Sequence, residues 1–355
     1  MSTVHGGIST TDLRMVGLTA EEVLDFSSNI NPQGTSERVR QAAVAADLAA
    51  YPDRDSLLLR EALAGRLQVD VGQLLIGNGS TELIHLLARA RLRPGGRCLI
   101  FLPTFGEYEA AAALAGAQIH RLYAAESQSF RWSMESALDT IKEVRPELVF
   151  LCNPNNPTGV YLKHEDVARI LDAIGQDGLL LLDEAYASLA DRRCDSGSLP
   201  LSMLPSDNLA ILRSMTKDHA IAGVRLGYLL ATPGLIDAVR SLQHAWSVNA
   251  VAQAAGLAAL DDEEHIEEAR DVIAASKEFI YERLGSMGIA FTPSSANFLL
   301  VNVGDAVQVR TELLRRGIAV RDCTSFGLPR HIRIAVRQRE ECEHLLRELQ
   351  EVVDQ

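Results

Sequence analysis

Short apolar runs alternate with longer amphipathic segments through the first two-thirds of the chain. The runs Gln73–Ile76, Arg97–Phe101, Leu148–Cys152, Leu179–Asp183, Leu209–Leu212 and Leu226–Leu230 are too short for helices. They are also too uniformly apolar for a sheet with one wet face, so they are predicted as strands of a mostly parallel sheet buried on both sides. Between them, Asp55–Leu67, Thr81–Arg91, Glu107–Ala115 and Lys163–Ile174 carry apolar residues at helical spacing. Strand and helix in alternation predict an α/β architecture with crossover helices on both faces. After Asn249 the pattern changes to long charged helices, Glu263–Gly285, Asp305–Arg316 and Arg339–Val353, separated by strand candidates at Asn297–Val303 and His331–Val336. That change predicts a second, smaller α+β domain. The expected division is an N-terminal arm over 1–34, a large domain over 35–248 and a small domain over 249–355.

Composition narrows the classes. The chain has 355 residues, 47% apolar and 23% charged, ordinary values for a folded chain with a sizeable core. Lys and Arg total 34 against 47 Asp and Glu, a formal charge of −13. Such an excess of acid argues against sequence-independent binding to nucleic acid or anionic membrane, which needs surplus cations. The five cysteines are scattered without a C-x-x-C pair, which excludes a disulfide framework or zinc ribbon. The start of the chain has no secretory pattern and no 18-residue apolar stretch occurs, so the expected location is cytoplasmic.

The candidate chemistry sits just after the predicted strands. In Arg213-Ser-Met-Thr-Lys217, a lysine follows a buried strand with Ser214 and Thr216 beside it and Arg225 eight residues on. The carboxyl ends of such strands are where open α/β sheets bind ligands. A lysine there can form a Schiff base with an aldehyde cofactor, while the hydroxyls and the arginine offer donors to a phosphate. The bland alternative is a solvated lysine and a structural ion pair. Leu179-Leu-Leu-Leu runs directly into Asp183, with Glu184 and Tyr186 behind it. A carboxylate so placed needs a partner; a protonated pyridine nitrogen is suitable, and such an anion keeps the ring able to accept electrons. A magnesium site is the competing reading, weakened because no G-x-x-x-x-G-K-[ST] loop is present. Asn153-Pro-Asn-Asn156-Pro-Thr-Gly makes a rigid turn with an amide able to donate to a ring hydroxyl. Gly77-Asn-Gly79-Ser80 leads from strand to helix with free N–H groups suited to a phosphate, and Phe105 offers a stacking face.

Together these motifs resemble the fold type I pyridoxal-phosphate enzymes of the aspartate aminotransferase superfamily, over essentially the whole chain. N-P-x-N-P-T-G, D-E-A-Y and S-x-T-K followed by R-x-G carry the resemblance. It implies pyridoxal 5'-phosphate as cofactor, with Lys217 as the Schiff-base lysine, Asp183 on the pyridine nitrogen, and Asn156 and Tyr186 on the ring oxygen. It places Phe105 on the ring, and Gly79, Ser80, Ser214, Thr216 and Arg225 on the phosphate. A tyrosine of the neighbouring subunit reaches that phosphate in the family; Tyr51 matches it, which implies a homodimer with active sites at the interface. Two groups within the superfamily compete. His5-Gly-Gly, Asp25-Phe-Ser-Ser-Asn-Ile-Asn-Pro32 and Trp246-Ser-Val-Asn-Ala250 lean toward the threonine-phosphate decarboxylases of cobalamin synthesis. Ser325-Phe-Gly-Leu-Pro329 resembles instead the histidinol-phosphate aminotransferases of histidine synthesis. The expected activity is therefore decarboxylation of L-threonine O-3-phosphate, with Arg333 clamping the substrate carboxylate and His5, Asn29 and Arg321 holding its phosphate. Transamination is the alternative, and a small phosphorylated amino compound is the substrate class in both. A noncatalytic cofactor-sensing domain is the remote third reading. Asp218-His219 after the lysine departs from the aromatic or small pair expected there.

Overall fold

The computed structural model describes residues 6–194 and 206–354. Among the described residues thirteen strands run in chain order: β1 (Leu24–Asp25), β2 (Leu74–Asn78), β3 (Arg97–Leu102), β4 (Gln118–Tyr123), β5 (Leu148–Cys152), β6 (Leu179–Asp183), β7 (Leu209–Ser214), β8 (Leu226–Leu230), β9 (Phe291–Thr292), β10 (Phe298–Asn302), β11 (Ile318–Ala319), β12 (Arg321–Asp322) and β13 (His331–Ala335). Seven of them form the large sheet in the order β2-β8-β7-β6-β5-β3-β4. The ladders from β7 through β6, β5 and β3 to β4 are parallel. Strand β8 is antiparallel to both neighbours, so β2 runs in the same direction as β7.

The uniform apolar runs have the cause inferred from the sequence. Along β6, Leu180 and Leu182 enter one core while Leu179 and Leu181 enter the core on the opposite face. A strand covered on both sides has no wet face to alternate toward. Several expectations need correction. Gln73 ends a 3-10 turn rather than starting a strand, and β7 extends to Ser214. The helix after β2 begins at Gly79, and the one before it at Leu57. The pattern missed β4, whose Gln-Ile-His-Arg-Leu-Tyr sequence reflects a half-exposed edge. It also missed the helices Met134–Val144, Pro233–Arg240 and Ala250–Ala259. The last of these, AVAQAAGLAA, has almost no polar face to reveal a helical period.

The later residues build a four-stranded antiparallel sheet, β12-β13-β10-β9, whose apolar face packs under Glu263–Ser286, Ala306–Arg315 and Arg339–Val353. The early segment crosses to this part of the molecule: β1 pairs in parallel with β11, and the Phe26 carbonyl accepts from the Ala335 N–H at 2.8 Å. Residues 26–31 are thereby held against both the small sheet and the Lys217 segment.

Candidate active site

Since β2, β3, β5, β6 and β7 point the same way, the residues following them meet at one edge of the sheet. There they line a cavity of about 420 Å³. Its walls include Ser80 after β2, Phe105 after β3, Asn156 after β5, Asp183 and Tyr186 at the end of β6, and Lys217 and Arg225 after β7. Asn29 from the N-terminal segment and Arg321 and Arg333 from the small sheet close it. Ten residues expected from sequence thus share one cavity.

Asp183 lies on the same face of β6 as Leu179 and Leu181, 3% exposed. The Tyr108 hydroxyl donates to its Oδ2 at 2.7 Å and the Ala185 N–H to its Oδ1 at 2.9 Å. Burial pushes the carboxyl upward, and the Tyr108 bond pulls it back down. Tyr108 escaped the sequence reading: it is fully buried in the helix Glu107–Leu114 and stacks on Phe150 with ring centroids 5.0 Å apart, so in sequence it looks like any core aromatic.

Lys217 sits in the short helix Met215–Asp218, its Nζ 3.3 Å from Ser214 Oγ and 5.9 Å from the Tyr186 ring centre. Burial lowers its proton affinity, Asp183 opposes that, and Arg225 and Arg333 add to it. The amine is biased toward the neutral form a nucleophile needs. Its backbone is held by Asn31, a second residue the sequence reading passed over. The Asn31 N–H donates to the Lys217 carbonyl at 2.9 Å and its Nδ2 donates to the Asp218 carbonyl at 2.9 Å.

Ser214 and Thr216 are buried beneath the lysine with their hydroxyls 2.7 Å apart. Gly79 is at φ +75°, and a Cβ there would fall 2.5 Å from Arg225 Nη2. The glycine lets the guanidinium lie against the start of the helix Gly79–Arg91, a pairing of cation and free N–H groups suited to an anion. Asn156 is positioned by the rigid loop around Asn155, whose side chain bonds Thr104, Pro103 and Thr158.

On the opposite wall, Arg333 is 4% exposed, and its hydrogen bonds go to neutral oxygens, Asn156 Oδ1 and the Ser27 carbonyl at 2.8 Å. Its Nε has no partner. Arg321, 6% exposed, donates to the Asp322 carbonyl at 2.7 Å and Ser325 Oγ at 2.6 Å. Both polar atoms of the Asn29 amide are buried without a hydrogen bond. Buried cations and orphaned amide atoms facing a cavity are costly in an isolated protein and become satisfied when an anionic ligand enters.

Tyr51 is not part of this cavity. It is 80% exposed and stacks on Trp246, with ring centroids 4.6 Å apart. His5 lies outside the described residues.

An anchored carboxylate, a lysine whose proton affinity burial lowers, an aromatic face at Phe105 and an anion cradle at Gly79–Arg225 fit pyridoxal phosphate group by group, and fold and site together define a pyridoxal-phosphate-dependent enzyme. The family model for aminotransferase class I and II matches residues 21–349, and the chain belongs to that family. It is 34% identical over 339 residues to the histidinol-phosphate aminotransferase of Moorella thermoacetica, covering 95% of this chain and 87% of the relative. It is 37% identical over 327 residues to that of Symbiobacterium thermophilum, covering 91% and 88%. The crystal structure of histidinol-phosphate aminotransferase from Sinorhizobium meliloti in complex with pyridoxal-5'-phosphate superposes with a TM-score of 0.88 at 26% identity, covering 99% of this chain and 95% of the other. These likenesses overturn the expected threonine-phosphate decarboxylase. Within Asp25-Phe-Ser-Ser-Asn-Ile-Asn-Pro32, Asp25 binds the Ser27 and Ser28 hydroxyls and Asn31 binds the lysine segment, so these two positions serve the structure and carry no preference between the two substrates.

Proposed function

We propose that the protein is an aminotransferase acting between histidinol phosphate and 2-oxoglutarate. The observation that carries this reading is the 34–37% identity to histidinol-phosphate aminotransferases over more than nine-tenths of the chain. The paired buried arginines support it, because both partners in that reaction are anions.

Bound pyridoxal phosphate supplies the electron sink that makes the substrate Cα–H acidic. Asp183 holds the ring nitrogen protonated, and Tyr108 keeps Asp183 ionised enough to do so. Asn156 and Tyr186 bind the ring oxygen, and Phe105 covers one ring face. Gly79, Ser80, Ser214, Thr216 and Arg225 hold the cofactor phosphate. Arg333 orients a substrate carboxylate or phosphate, and Arg321 with Asn29 takes the second anionic group. Lys217, which lines the cavity, would be the base that takes the proton from the substrate Cα and holds it in transit. The exposed Tyr51–Trp246 pair is assigned to a homodimer, where Tyr51 reaches the cofactor phosphate of the partner subunit. The 1–34, 35–248 and 249–355 division is proposed on the same footing.

The test supplies the purified protein with histidinol phosphate and 2-oxoglutarate, and separately with L-threonine O-3-phosphate. Glutamate formation in the first reaction is expected. No glutamate there, whatever the second yields, would refute the proposal.

A further inference from the structure

A second cavity of about 420 Å³ lies behind the Lys217 segment. One short stretch of chain walls both cavities: Lys217 lines the first, while Met215, Asp218 and His219 line the second. Other walls come from Arg66 on the helix Leu57–Leu67, from Ser188, from Arg213 on β7, and from Asp262, Glu267 and Arg270 around the start of Glu263–Ser286.

The charges of this cavity do not close. Arg66 pairs with Glu263, Arg270 with Glu267, and Arg213 with the buried Glu184 outside it. Those pairs leave Asp262, and leave Asp218 with a Ser188 hydrogen bond and the fields of Arg213 and Lys217 but no ion pair of its own. Asp218 is 9% exposed and His219 8%, and Asp218 Oδ1, His219 Nδ1 and Asp262 Oδ2 are all buried without a hydrogen-bond partner. Burial holds the imidazole neutral, its pKa pushed down to about 4, so the ring carries one donor and one acceptor nitrogen and Nδ1 is an acceptor in the tautomer protonated at Nε2. Asp262 Oδ2 asks for a donor, and Asp218, whose carboxyl burial pushes up to about 7, asks for a cation that would let it ionise. They do not converge on a metal-sized point, since no group of three or more such side chains suited to a metal ion occurs among the described residues. Around them, Leu63, Leu67, Met215, Leu260 and Ile266 form an apolar surface. Spread acceptors of negative character on an apolar floor match a small organic cation with several N–H donors and a carbon body.

We propose that this cavity binds a small organic cation of the guanidinium or imidazolium class, held by Asp218, Asp262 and His219. The site is independent of the substrate proposed above, and its ligand lies one residue from the catalytic lysine. A cation placed on Asp218 opposes the field by which that carboxylate raises the proton affinity of Lys217. Occupancy thus favours the neutral amine.

The test is isothermal titration calorimetry of ethylguanidinium chloride, and separately imidazole, into the holoenzyme, with sodium chloride at matched ionic strength as control. Saturable binding of one equivalent per chain is expected for at least one probe. Asp262→Asn, at a half-exposed helix terminus, and Asp218→Asn should each weaken it about tenfold or more, the loss of one hydrogen bond to a charged group. His219→Phe should weaken it by removing the ring nitrogen that meets the ligand. The visible absorbance of the bound cofactor, followed against pH, should titrate at lower pH with the probe present. No saturable binding of either probe, equal heat from sodium chloride, or binding unchanged in both Asp262→Asn and His219→Phe would overturn the proposal. None of these outcomes depends on which substrate the enzyme uses.

Discussion

Replacing Tyr108 by phenylalanine isolates the anchoring of Asp183. The variant keeps the ring that stacks on Phe150 and deletes only the hydroxyl that donates to Asp183 Oδ2 at 2.7 Å. The Ala185 N–H remains on the other oxygen. A hydrogen bond to a charged group contributes about 1.5–3 kcal/mol and one between neutral groups about 0.5–1.5 kcal/mol. The substitution should therefore cost the cofactor-free protein about 2 kcal/mol with Asp183 ionised and about 1 kcal/mol with it protonated. That difference equals an upward shift of about 0.7 pH units in the carboxyl. Asp183 already titrates above the ordinary carboxylate range, chiefly through burial. The folded chain thus holds its proton more tightly than the unfolded chain, and the stability this gives at low pH is lost as pH rises through the folded value. The variant extends that loss. With an unfolding entropy of about 2.1 cal/mol/K per residue, 1 kcal/mol corresponds to roughly 1–2 °C in a chain of this length. Thermal unfolding of both cofactor-free proteins from pH 4 to pH 9 should show a deficit of about 1 °C at the acid end that widens to about 3 °C at the alkaline end. A deficit that stays constant, or is larger in acid, would refute the view that Tyr108 acts on the charge of Asp183.

Four other substitutions follow from the same geometry. Lys217→Ala should remove the visible absorbance of covalently held cofactor, read by a spectrum after dialysis; retention of that band would show a different attachment point. Gly79→Ala puts a methyl 2.5 Å from Arg225 Nη2 at a positive φ, so pyridoxal phosphate affinity, titrated by absorbance, should fall about tenfold or more. Arg333→Ala should raise the KM for the amino donor about 10–100-fold, the loss of a charged hydrogen bond, with the cofactor spectrum kept; loss of the spectrum as well would reassign Arg333 to the cofactor. His219→Phe bears on acid stability. Burial pushes the imidazole down to about 4, so the folded state binds its proton less readily than the unfolded state, and stability is lost as pH falls from about 6.5 toward 4. The phenylalanine variant lacks that loss, and its melting temperature should gain on the wild type across that range, by up to roughly 3 kcal/mol of stability; parallel pH profiles would contradict the assignment.

The positions that line the cavity were legible because each follows an apolar run: Asp183 after four leucines, Lys217 after β7, Asn156 after β5. Tyr108 and Asn31 were not, since a buried tyrosine in a helix and an asparagine before a proline have the same local pattern whether or not they touch the site. The missed strand β4 and the helix Ala250–Ala259 show the same limit, one at a wet edge and one with no polar face. Substrate preference fell on the wrong side in part because, of the three segments used for it, residues 25–32 include Asp25 and Asn31, which hold backbone and neighbouring hydroxyls in place.

By itself, the sequence determined the α/β class, the cofactor and the order in which the cavity-lining residues appear, because strand burial and the end of an apolar run are local properties of the chain. Tertiary structure decided what distance along the chain conceals. It brought Arg333 within reach of Asn156, 177 residues earlier, and set Asn31 on the carbonyl of a residue 187 positions away. It also decided that Asp218 and His219, which follow Lys217 in the chain, face a different cavity. Side chains on successive residues point in different directions, and only the packing of the helices around them determines what each direction meets.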